Sequence, residues 1–333
     1  MADLGFEFCA EKISEKGEDA PPIRMPLGAS GWALFVCDGM GGAGSFCYAG
    51  ADGKAGARIA AEAVRGWTQE FFEAREELSE SFPGELHVEI YGKLRELADE
   101  LDAQEVSPSR LRSKLHKRLP TTFAGLVVRE DRATAVWAGD SRCFCLSPED
   151  GLQQLSQDDQ KEHCDPFESL SLEPQMSNYV NADTEFSFQR AEISRVRPTV
   201  YLVATDGCFQ YVETPAHFEQ LLVARLLAAE SVEEWGASLM SAITAVAGDD
   251  ASMALQAVGW ASFDSLRKAF RERLQWLTVL MRLGEPSESG EEEEAPEDRE
   301  SARRRRELIW QAYKTGYCAK MPDKLEVVSH AAG

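Results

Sequence analysis

The sequence lacks several features that would direct its interpretation elsewhere. Its eight cysteines are scattered, lie mostly in apolar segments and form no Cys-x-x-Cys pair, so a thiolate zinc site is not expected. The N-terminal segment carries acidic residues instead of an apolar signal, and no apolar run approaches the length of a transmembrane helix. We therefore expect reduced thiols in a cytoplasmic protein with no membrane partner.

The sequence also has too few basic residues for a nucleic-acid-binding protein. Lysine and arginine number 35 against 57 aspartate and glutamate residues, which gives a formal net charge of -22. That charge disfavours nucleic acid and anionic lipid as partners and raises the local concentration of divalent cations. At 333 residues and 44% hydrophobic content, the chain is typical of a globular protein with one large domain or two.

Three short apolar segments adjoin a carboxylate and a glycine. Residues 33–37 run into Asp38 and Gly39, residues 201–205 run into Asp206 and Gly207, and residues 248–250 (Gly-Asp-Asp) precede an apolar segment. Apolar runs of this length bounded by glycine predict buried strands. Any one of these acids alone is also typical of an ordinary Asp-Gly turn. Because the same pattern occurs three times, we expect the acids to share one site.

The acids predict a site for hard divalent cations. Mg²⁺ and Mn²⁺ prefer carboxylate, carbonyl and water oxygens, and none of the five histidines lies in the three segments. Clustered carboxylates without a cation would repel one another and raise each other's pKa. Two such ions about 3.5–4 Å apart would activate a water for displacement at phosphorus.

The remaining pattern predicts an α+β fold with antiparallel sheets, because runs of strands are separated from runs of helices. Helical periodicity is found at residues 49–74, 87–103, 109–119, 215–229, 232–246, 263–283 and 299–317, and strand patterns at residues 122–128, 133–138 and 143–146. Residues 156–198 are polar and weakly periodic.

Seven motifs in this order resemble the metal-dependent protein phosphatases of the 2C type (the PPM family), and in particular its bacterial members. They are Glu18-Asp19, residues 38–42 (Asp-Gly-Met-Gly-Gly), 121–124 (Thr-Thr-Phe-Ala), 139–142 (Gly-Asp-Ser-Arg), 155–159 (Leu-Ser-Gln-Asp-Asp), 204–207 (Ala-Thr-Asp-Gly) and 248–252 (Gly-Asp-Asp-Ala-Ser). The resemblance implies an α-β-β-α sandwich of two antiparallel sheets flanked by helices, with extra C-terminal helices. It also implies hydrolysis of phosphoserine and phosphothreonine esters in phosphoprotein substrates at a dinuclear Mn²⁺ or Mg²⁺ site.

The resemblance assigns roles to individual positions. Asp38 is similar to the carboxylate that bridges both metals, and the Gly39 carbonyl to a ligand of one of them. Asp206 and Asp249 correspond to ligands of the other metal. The remaining acids are expected to be more peripheral: Glu18 and Asp19 correspond to acids that act through metal-bound water, and Asp140 to the ligand of a third, weaker metal.

Two positions depart from the family pattern. Ser14 occupies the place of an arginine that grips the substrate phosphate, and Lys12 or Lys16 would replace it only as a point charge. Met40 stands where many eukaryotic relatives have histidine, and we interpret it as a bacterial trait. An active phosphatase is therefore the main hypothesis. A non-catalytic relative that serves as a phospho-binding or regulatory module is the alternative.

We divide the chain as follows: residues 1–260 a 2C-like catalytic domain, 261–283 an amphipathic helix, 284–298 an acidic flexible linker, 299–318 a docking helix and 319–333 a tail. The docking helix carries aromatic residues, which favours packing on the catalytic domain over partner binding. Its basic run, residues 303–306, is interpreted as a solvated face and not as an anion-binding patch. Cys37 and Cys208 flank the predicted site, either as small core residues or as oxidation-sensitive thiols.

Overall fold

A computed structural model describes residues 3–28, 31–75, 77–104, 117–161, 165–170, 175–195, 197–284, 299–322 and 326–327. The strands are β1 (Gly5–Ala10), β2 (Ile23–Leu27), β3 (Gly31–Val36), β4 (Phe123–Val128), β5 (Arg132–Ala138), β6 (Arg142–Ser147), β7 (Gly151–Gln154), β8 (Gln189–Ser194), β9 (Thr199–Ala204), β10 (Ala251–Val258) and β11 (Glu326–Val327). The helices are α1 (Gly41–Gly44), α2 (Gly56–Glu73), α3 (Phe82–Ala103), α4 (Pro215–Ala228), α5 (Val232–Thr244), α6 (Phe263–Ala269), α7 (Arg271–Met281) and α8 (Arg299–Tyr317).

The strands form two antiparallel sheets. The first has the order β1-β10-β9-β6-β7 and the second the order β11-β8-β5-β4-β3-β2. Helices α2 and α3 cover the outer face of the second sheet, whereas α4 to α8 cover the outer face of the first. The predicted α+β fold, with two antiparallel sheets between layers of helices, is confirmed.

The central strands of each sheet are largely apolar on both faces because they are buried on both sides. In β3, Phe35 packs under α2 and α3, while its neighbours Leu34 and Val36 point between the sheets. Successive side chains alternate between the faces of a strand, so a strand that is covered on both faces has few polar positions. This explains why the segment that leads to Asp38 is a continuous apolar run.

Several strands, β2 and β8 among them, were not predicted from the sequence. β2 contains Pro26 and lies at the edge of its sheet, where the missing amide hydrogen of proline is tolerated. β8 alternates partly buried and exposed residues, with only Gln189 fully buried. β8 is a strand because it pairs with β5, although its sequence has no apolar strand pattern.

The region expected to be one helix, residues 263–283, consists of α6, α7 and a 3₁₀ turn over residues 282–284. Phe270 separates the two helices, with φ -93° and ψ 3°, and its amide bonds to the Arg267 carbonyl three residues earlier. The Phe270 ring is fully buried, with its centroid 6.1 Å from that of Trp260. Burial of this ring in the core accompanies the break, at a place with no glycine or proline.

Helix α8 packs against β7, α4 and α7. Ile309, Trp310, Tyr313 and Tyr317 on one face are all buried. Tyr313 donates a hydrogen bond to the carboxylate of Glu219 on α4, and Tyr317 donates one to Gln154 Oε1 at 2.9 Å. On the opposite side, Arg304 pairs with Glu300.

Two sequence predictions fall outside the described residues: most of the helix at 109–119 and nearly all of the acidic linker. Within the described part of the chain, no helix is long and apolar enough to cross a membrane.

Candidate metal and phosphate site

Asp38 is held at the end of β3 by its own backbone. Its carbonyl accepts hydrogen bonds from the Thr121 hydroxyl at 2.7 Å and the Thr122 amide at 2.8 Å. Its amide donates to the Thr122 hydroxyl at 3.3 Å. These contacts join the end of β3 to the start of β4, so the carboxylate is positioned by two neighbouring strands.

The Glu18-Asp19 segment lies directly against this strand end. Ala20 donates its amide to the Cys37 carbonyl at 3.0 Å. A Cβ added to Gly39 would lie 2.5 Å from the Glu18 carbonyl oxygen, so only glycine allows this approach. The absence of a side chain therefore brings Glu18 and Asp19 beside Asp38.

Asp19 is buried, and the pKa of its carboxyl group is raised to about 7. Burial is the main cause, and the charge of Asp250 adds to it. A hydrogen bond from the Thr205 hydroxyl to Asp19 Oδ2 at 3.0 Å opposes the shift. The Ser252 amide donates in turn to that hydroxyl at 2.9 Å, which links Asp19 to the adjoining ends of β9 and β10.

The remaining acids raise one another's pKa. Burial, followed by the charges of Asp249 and Asp19, raises the pKa of Asp206 to about 7. Burial and the charge of Asp206 raise the pKa of Asp140 to about 8. Burial raises the pKa of Asp38 well above its ordinary value, and the charge of Asp19 is the next cause. Five loops next to different strands thus bring Asp19, Asp38, Asp140, Asp206 and Asp249 close to one another.

The Gly248-Asp249-Asp250 turn divides its two acids between different tasks. Asp250 accepts the amides of Lys12 at 2.7 Å and Glu18 at 2.6 Å, so it ties this turn to the N-terminal loop. Asp249 is exposed and lines the pocket described next. Burial and the charges of these two aspartates raise the pKa of Glu18.

The carboxylates adjoin an open pocket of about 300 Å³. Asp140, Asp206 and Asp249 line it, whereas Asp19 and Asp38 do not and act on it through their charge. The other lining residues are Arg142, Asp158, Gln160, Ser169, Leu170, Phe209, Gln210 and Tyr211. Its polar lining and its volume suit a small anionic group accompanied by a cation.

Arg142 is a pocket residue to which sequence reasoning gave no role. Its Nε and Nη2 donate to the two carboxylate oxygens of Asp158 at 2.9 and 2.7 Å, and Nη2 donates to Ser169 Oγ at 2.7 Å. Its guanidinium carbon lies 4.4 Å from the centroid of the Phe209 ring. Arg142 and Asp158 each belong to one of the family motifs, but the sequence did not show that they pair across 16 positions. The fork of Arg142 is occupied by Asp158, so it supplies positive charge without offering a free bidentate clamp.

The predicted phosphate-binding lysines do not line the pocket. Lys12 directs its ammonium group to the Ala247 carbonyl, and Lys16 and Ser14 are exposed on the loop at 11–16. Arg58 approaches this loop, but it donates to the Glu15 carbonyl at 3.3 Å.

The two cysteines at the site are buried thiols. Burial raises the pKa of Cys37 and of Cys208, and nearby carboxylates add to both shifts. The thiolate is the nucleophilic and easily oxidised form. Both residues therefore act as small core side chains.

The chemistry of the acids fits a hard divalent cation. The charged side chains that cluster with Asp38 are carboxylates, and their mutual repulsion is relieved by positive charge. Among the described residues, no three His, Cys, Asp or Glu side chains form a group that would hold an ion by themselves. Mg²⁺ commonly uses one or two carboxylates and retains several waters, so water would complete the coordination.

The profile of the protein phosphatase 2C family matches residues 24–243, about two thirds of the chain. The match does not extend to Glu18, Asp19 or Asp249. No curated protein sequence matches the chain.

Solved bacterial phosphatases share the fold. The serine/threonine phosphatase Stp1 from Staphylococcus aureus is 19% identical with a TM-score of 0.59, and the match covers 78% of this chain and 96% of that one. The Mycobacterium tuberculosis serine/threonine phosphatase PstP is 16% identical with a TM-score of 0.54, covering 77% and 98%. A PstP catalytic domain in complex with two manganese ions is 16% identical with a TM-score of 0.53, covering 76% and 97%. At these identities the likeness concerns the fold.

Proposed function

Because the chain belongs to the protein phosphatase 2C family of protein serine/threonine phosphatases, we propose that it hydrolyses phosphoserine and phosphothreonine esters on protein substrates. The observation that carries this proposal is the cluster of five mutually repelling aspartates beside a polar pocket of about 300 Å³. A binding module would not need so many carboxylates close enough to raise one another's pKa. The cluster favours a site that takes up cations and uses them.

The proposed ligands are those that the family pattern assigns. Asp38 and the Gly39 carbonyl would hold one cation, and Asp38, Asp206 and Asp249 a second, with Mn²⁺ or Mg²⁺ in both places. When bound, the metal pair would supply an activated water and offset negative charge on the attacking and leaving oxygens. Glu18 and Asp19 would orient water molecules around this centre, and Asp140 would support a third cation.

The chain's own residues position the phosphate ester. Arg142 contributes positive charge at the pocket wall while Asp158 keeps its side chain in place. Ser169 and Leu170 form another part of the wall. Phosphate binding therefore depends on the cations more than on an arginine fork.

The exposed loop at Ser14 favours the alternative function, a non-catalytic phospho-binding or regulatory module. The family's arginine is absent there, and neither Lys12 nor Lys16 lines the pocket. The two functions differ in one property. An enzyme turns over phosphate esters, whereas a module binds them without hydrolysis.

Hydrolysis of a small aryl phosphate and of phosphothreonine peptides, with Mn²⁺ and with a chelator, separates the two functions. We expect Mn²⁺-dependent turnover that Asp206→Asn lowers about 100-fold or more, since the loss of a second-sphere partner alone costs 10–100-fold. Asp131→Asn is the matched control, because Asp131 is an exposed turn aspartate. Absence of Mn²⁺-dependent turnover above the Asp206→Asn level on both substrates would refute the enzymatic function.

The proposed catalytic unit spans residues 1–260, a share consistent with the coverage of the solved phosphatases. The proposed role of α8 is intramolecular docking. Its buried face and its contacts with Glu219 and Gln154 support that role.

A further inference from the structure

A second, larger depression lies between α4 and α5, with a volume of about 760 Å³. We call it the α4–α5 groove. It is lined by Tyr211, Val212, Glu213, His217, Gln220, Leu221, Ala224, Arg225, Ala228, Ala242, Ala245 and Val246. Most of these side chains are apolar, and no role in the fold requires them to face solvent.

The groove exposes large apolar side chains to solvent. Val246 is 57% exposed and Tyr211 is 43% exposed. Both are bulky, and each lies on a different wall of the groove. Exposed apolar surface that is grouped in a depression marks binding sites more often than single exposed residues do.

The two helices that form the groove are held firmly together. The Trp235 indole on α5 donates to the Leu222 carbonyl on α4 at 3.2 Å, and both side chains are fully buried. The groove is therefore preformed, and binding would not require a new arrangement of the helices.

The groove is continuous with the phosphatase pocket, since Tyr211 lines both. A Cβ added to Gly248 would lie 2.4 Å from the Tyr211 ring. The ring therefore packs on the backbone next to Asp249. The walls of the groove are direct continuations of the loops that carry two predicted metal ligands.

The connecting segments are short. Tyr211 follows Asp206 by five positions, and Val246 precedes Asp249 by three. A chain spans at most about 3.5 Å per residue, so Val246 and Asp249 are separated by no more than roughly 11 Å along the backbone. An extended peptide with its phosphorylated residue in the pocket reaches the groove within about four residues.

We propose that the α4–α5 groove binds an apolar side chain of the phosphoprotein substrate, within about four residues of the phosphorylated residue. This inference rests on the proposed phosphatase function. The groove selects which phosphorylated segments are hydrolysed, whereas the acidic pocket treats all phosphoserine and phosphothreonine residues alike.

The charges at the rim agree with an apolar occupant. Glu213 and Arg225 are of opposite sign, so the rim has no excess charge of one kind. His217 accompanies them on α4, and burial lowers its pKa, which favours its neutral form. Its Nδ1 is paired with the Thr214 hydroxyl at 2.9 Å.

A leucine scan of phosphothreonine peptides tests the proposal. Each peptide carries a single leucine at one position from four residues before to four residues after the phosphothreonine, in an otherwise alanine and serine sequence. For the wild type with Mn²⁺, we expect one position at which leucine raises kcat/KM about tenfold over alanine, which corresponds to 1.4 kcal/mol.

Three variants provide the comparison. Val246→Glu and Ala228→Glu each place a carboxylate in the groove, one on each wall, and we expect both to abolish the leucine preference. Val279→Glu is the matched control, because Val279 is 63% exposed on α7 and does not line the groove. It should keep the full preference. The leucine-to-alanine ratio is compared within each variant, and aryl phosphate hydrolysis provides the reference rate.

A binding measurement shows whether the proposed role of the groove or the proposed enzymatic function is wrong. Fluorescence anisotropy of the labelled leucine and alanine peptides reports binding without turnover. No turnover on any substrate, together with a leucine preference in binding that Val246→Glu abolishes, would refute the enzyme and support the groove. A flat scan in both turnover and binding overturns the groove.

A second copy of the chain is the competing occupant. Sedimentation of the wild type and of Val246→Glu detects it. If the substitution converts a dimer to a monomer while the leucine preference is unchanged, the groove is a self-association surface and the proposal is wrong.

Discussion

The ion pair of Glu219 and Arg273 is expected to be the most sensitive polar contact between the catalytic domain and the C-terminal helices. Arg273 Nε and Nη2 donate to the two carboxylate oxygens of Glu219 at 2.6 and 2.8 Å. Tyr313 of α8 donates to the same carboxylate. The Glu219 side chain is 0% exposed and that of Arg273 is 10% exposed, so water cannot replace a lost partner.

Replacement of Arg273 by methionine removes the cation and leaves an approximately similar side-chain length. Glu219 then remains buried and keeps the hydrogen bond from the Tyr313 hydroxyl. Breaking a buried pair by removing one partner costs about 3–5 kcal/mol. The substitution also removes the stacking of the guanidinium on Trp276, 4.2 Å from the ring centroid. We expect the free energy of unfolding to fall by at least about 3 kcal/mol. This is a large share of the 5–15 kcal/mol typical of a folded domain.

Urea unfolding followed by far-ultraviolet circular dichroism measures the effect. With a slope of about 3 kcal/mol per molar urea, a loss of 3–5 kcal/mol lowers the midpoint by roughly 1–1.7 M. Lys268→Met is the matched control, since its partner Asp264 lies on the surface and both side chains are more than half exposed. Exposed pairs of this kind are weak, so the control should unfold like the wild type.

The double variant Glu219→Leu, Arg273→Met removes the stranded carboxylate as well. Because a buried ion pair is often replaceable by apolar residues, it should recover much of the stability lost in the single variant. Equal midpoints for Arg273→Met and the Lys268→Met control would refute the reasoning. They would mean that Glu219 is protonated or hydrated when its partner is removed.

Three further predictions concern the candidate site. Mn²⁺ at 100 times its Kd should stabilise the protein by about 2.7 kcal/mol and raise Tm by roughly 4 °C in calorimetry. Asp38→Asn should remove this increase in Tm. An equal increase in the variant would exclude Asp38 as a ligand. Gly207→Ala should abolish Mn²⁺-dependent turnover, because the added Cβ would lie 1.8 Å from the Asp250 carbonyl oxygen, whereas Gly66→Ala on α2 meets nothing within 4 Å and should be fully active. Ser14→Arg should lower KM for phosphothreonine peptides and strengthen inhibition by inorganic phosphate; unchanged values would show that another group already binds the phosphate.

The residue pattern of the sequence determined the α+β class with antiparallel sheets and the meeting of the acids, and the resemblance to the phosphatase family added the two-sheet sandwich. Strands buried on both faces must be continuously apolar, and a carboxylate at the end of such a run must lie where the core meets solvent. For the same reason Asp38, Asp206 and Asp249 were recognisable as one set. Which of these acids bind metal stays a prediction.

Tertiary structure decided what depends on distant partners. Asp249 and Asp250 are adjacent and chemically equal, yet one lines the pocket and the other accepts two backbone amides from the N-terminal loop. Strand β8 has a polar sequence and owes its conformation to β5. The break at Phe270 and the α4–α5 groove likewise arise from packing between segments. Local pattern determines which face of an element is buried, but only the folded chain determines which neighbour it meets.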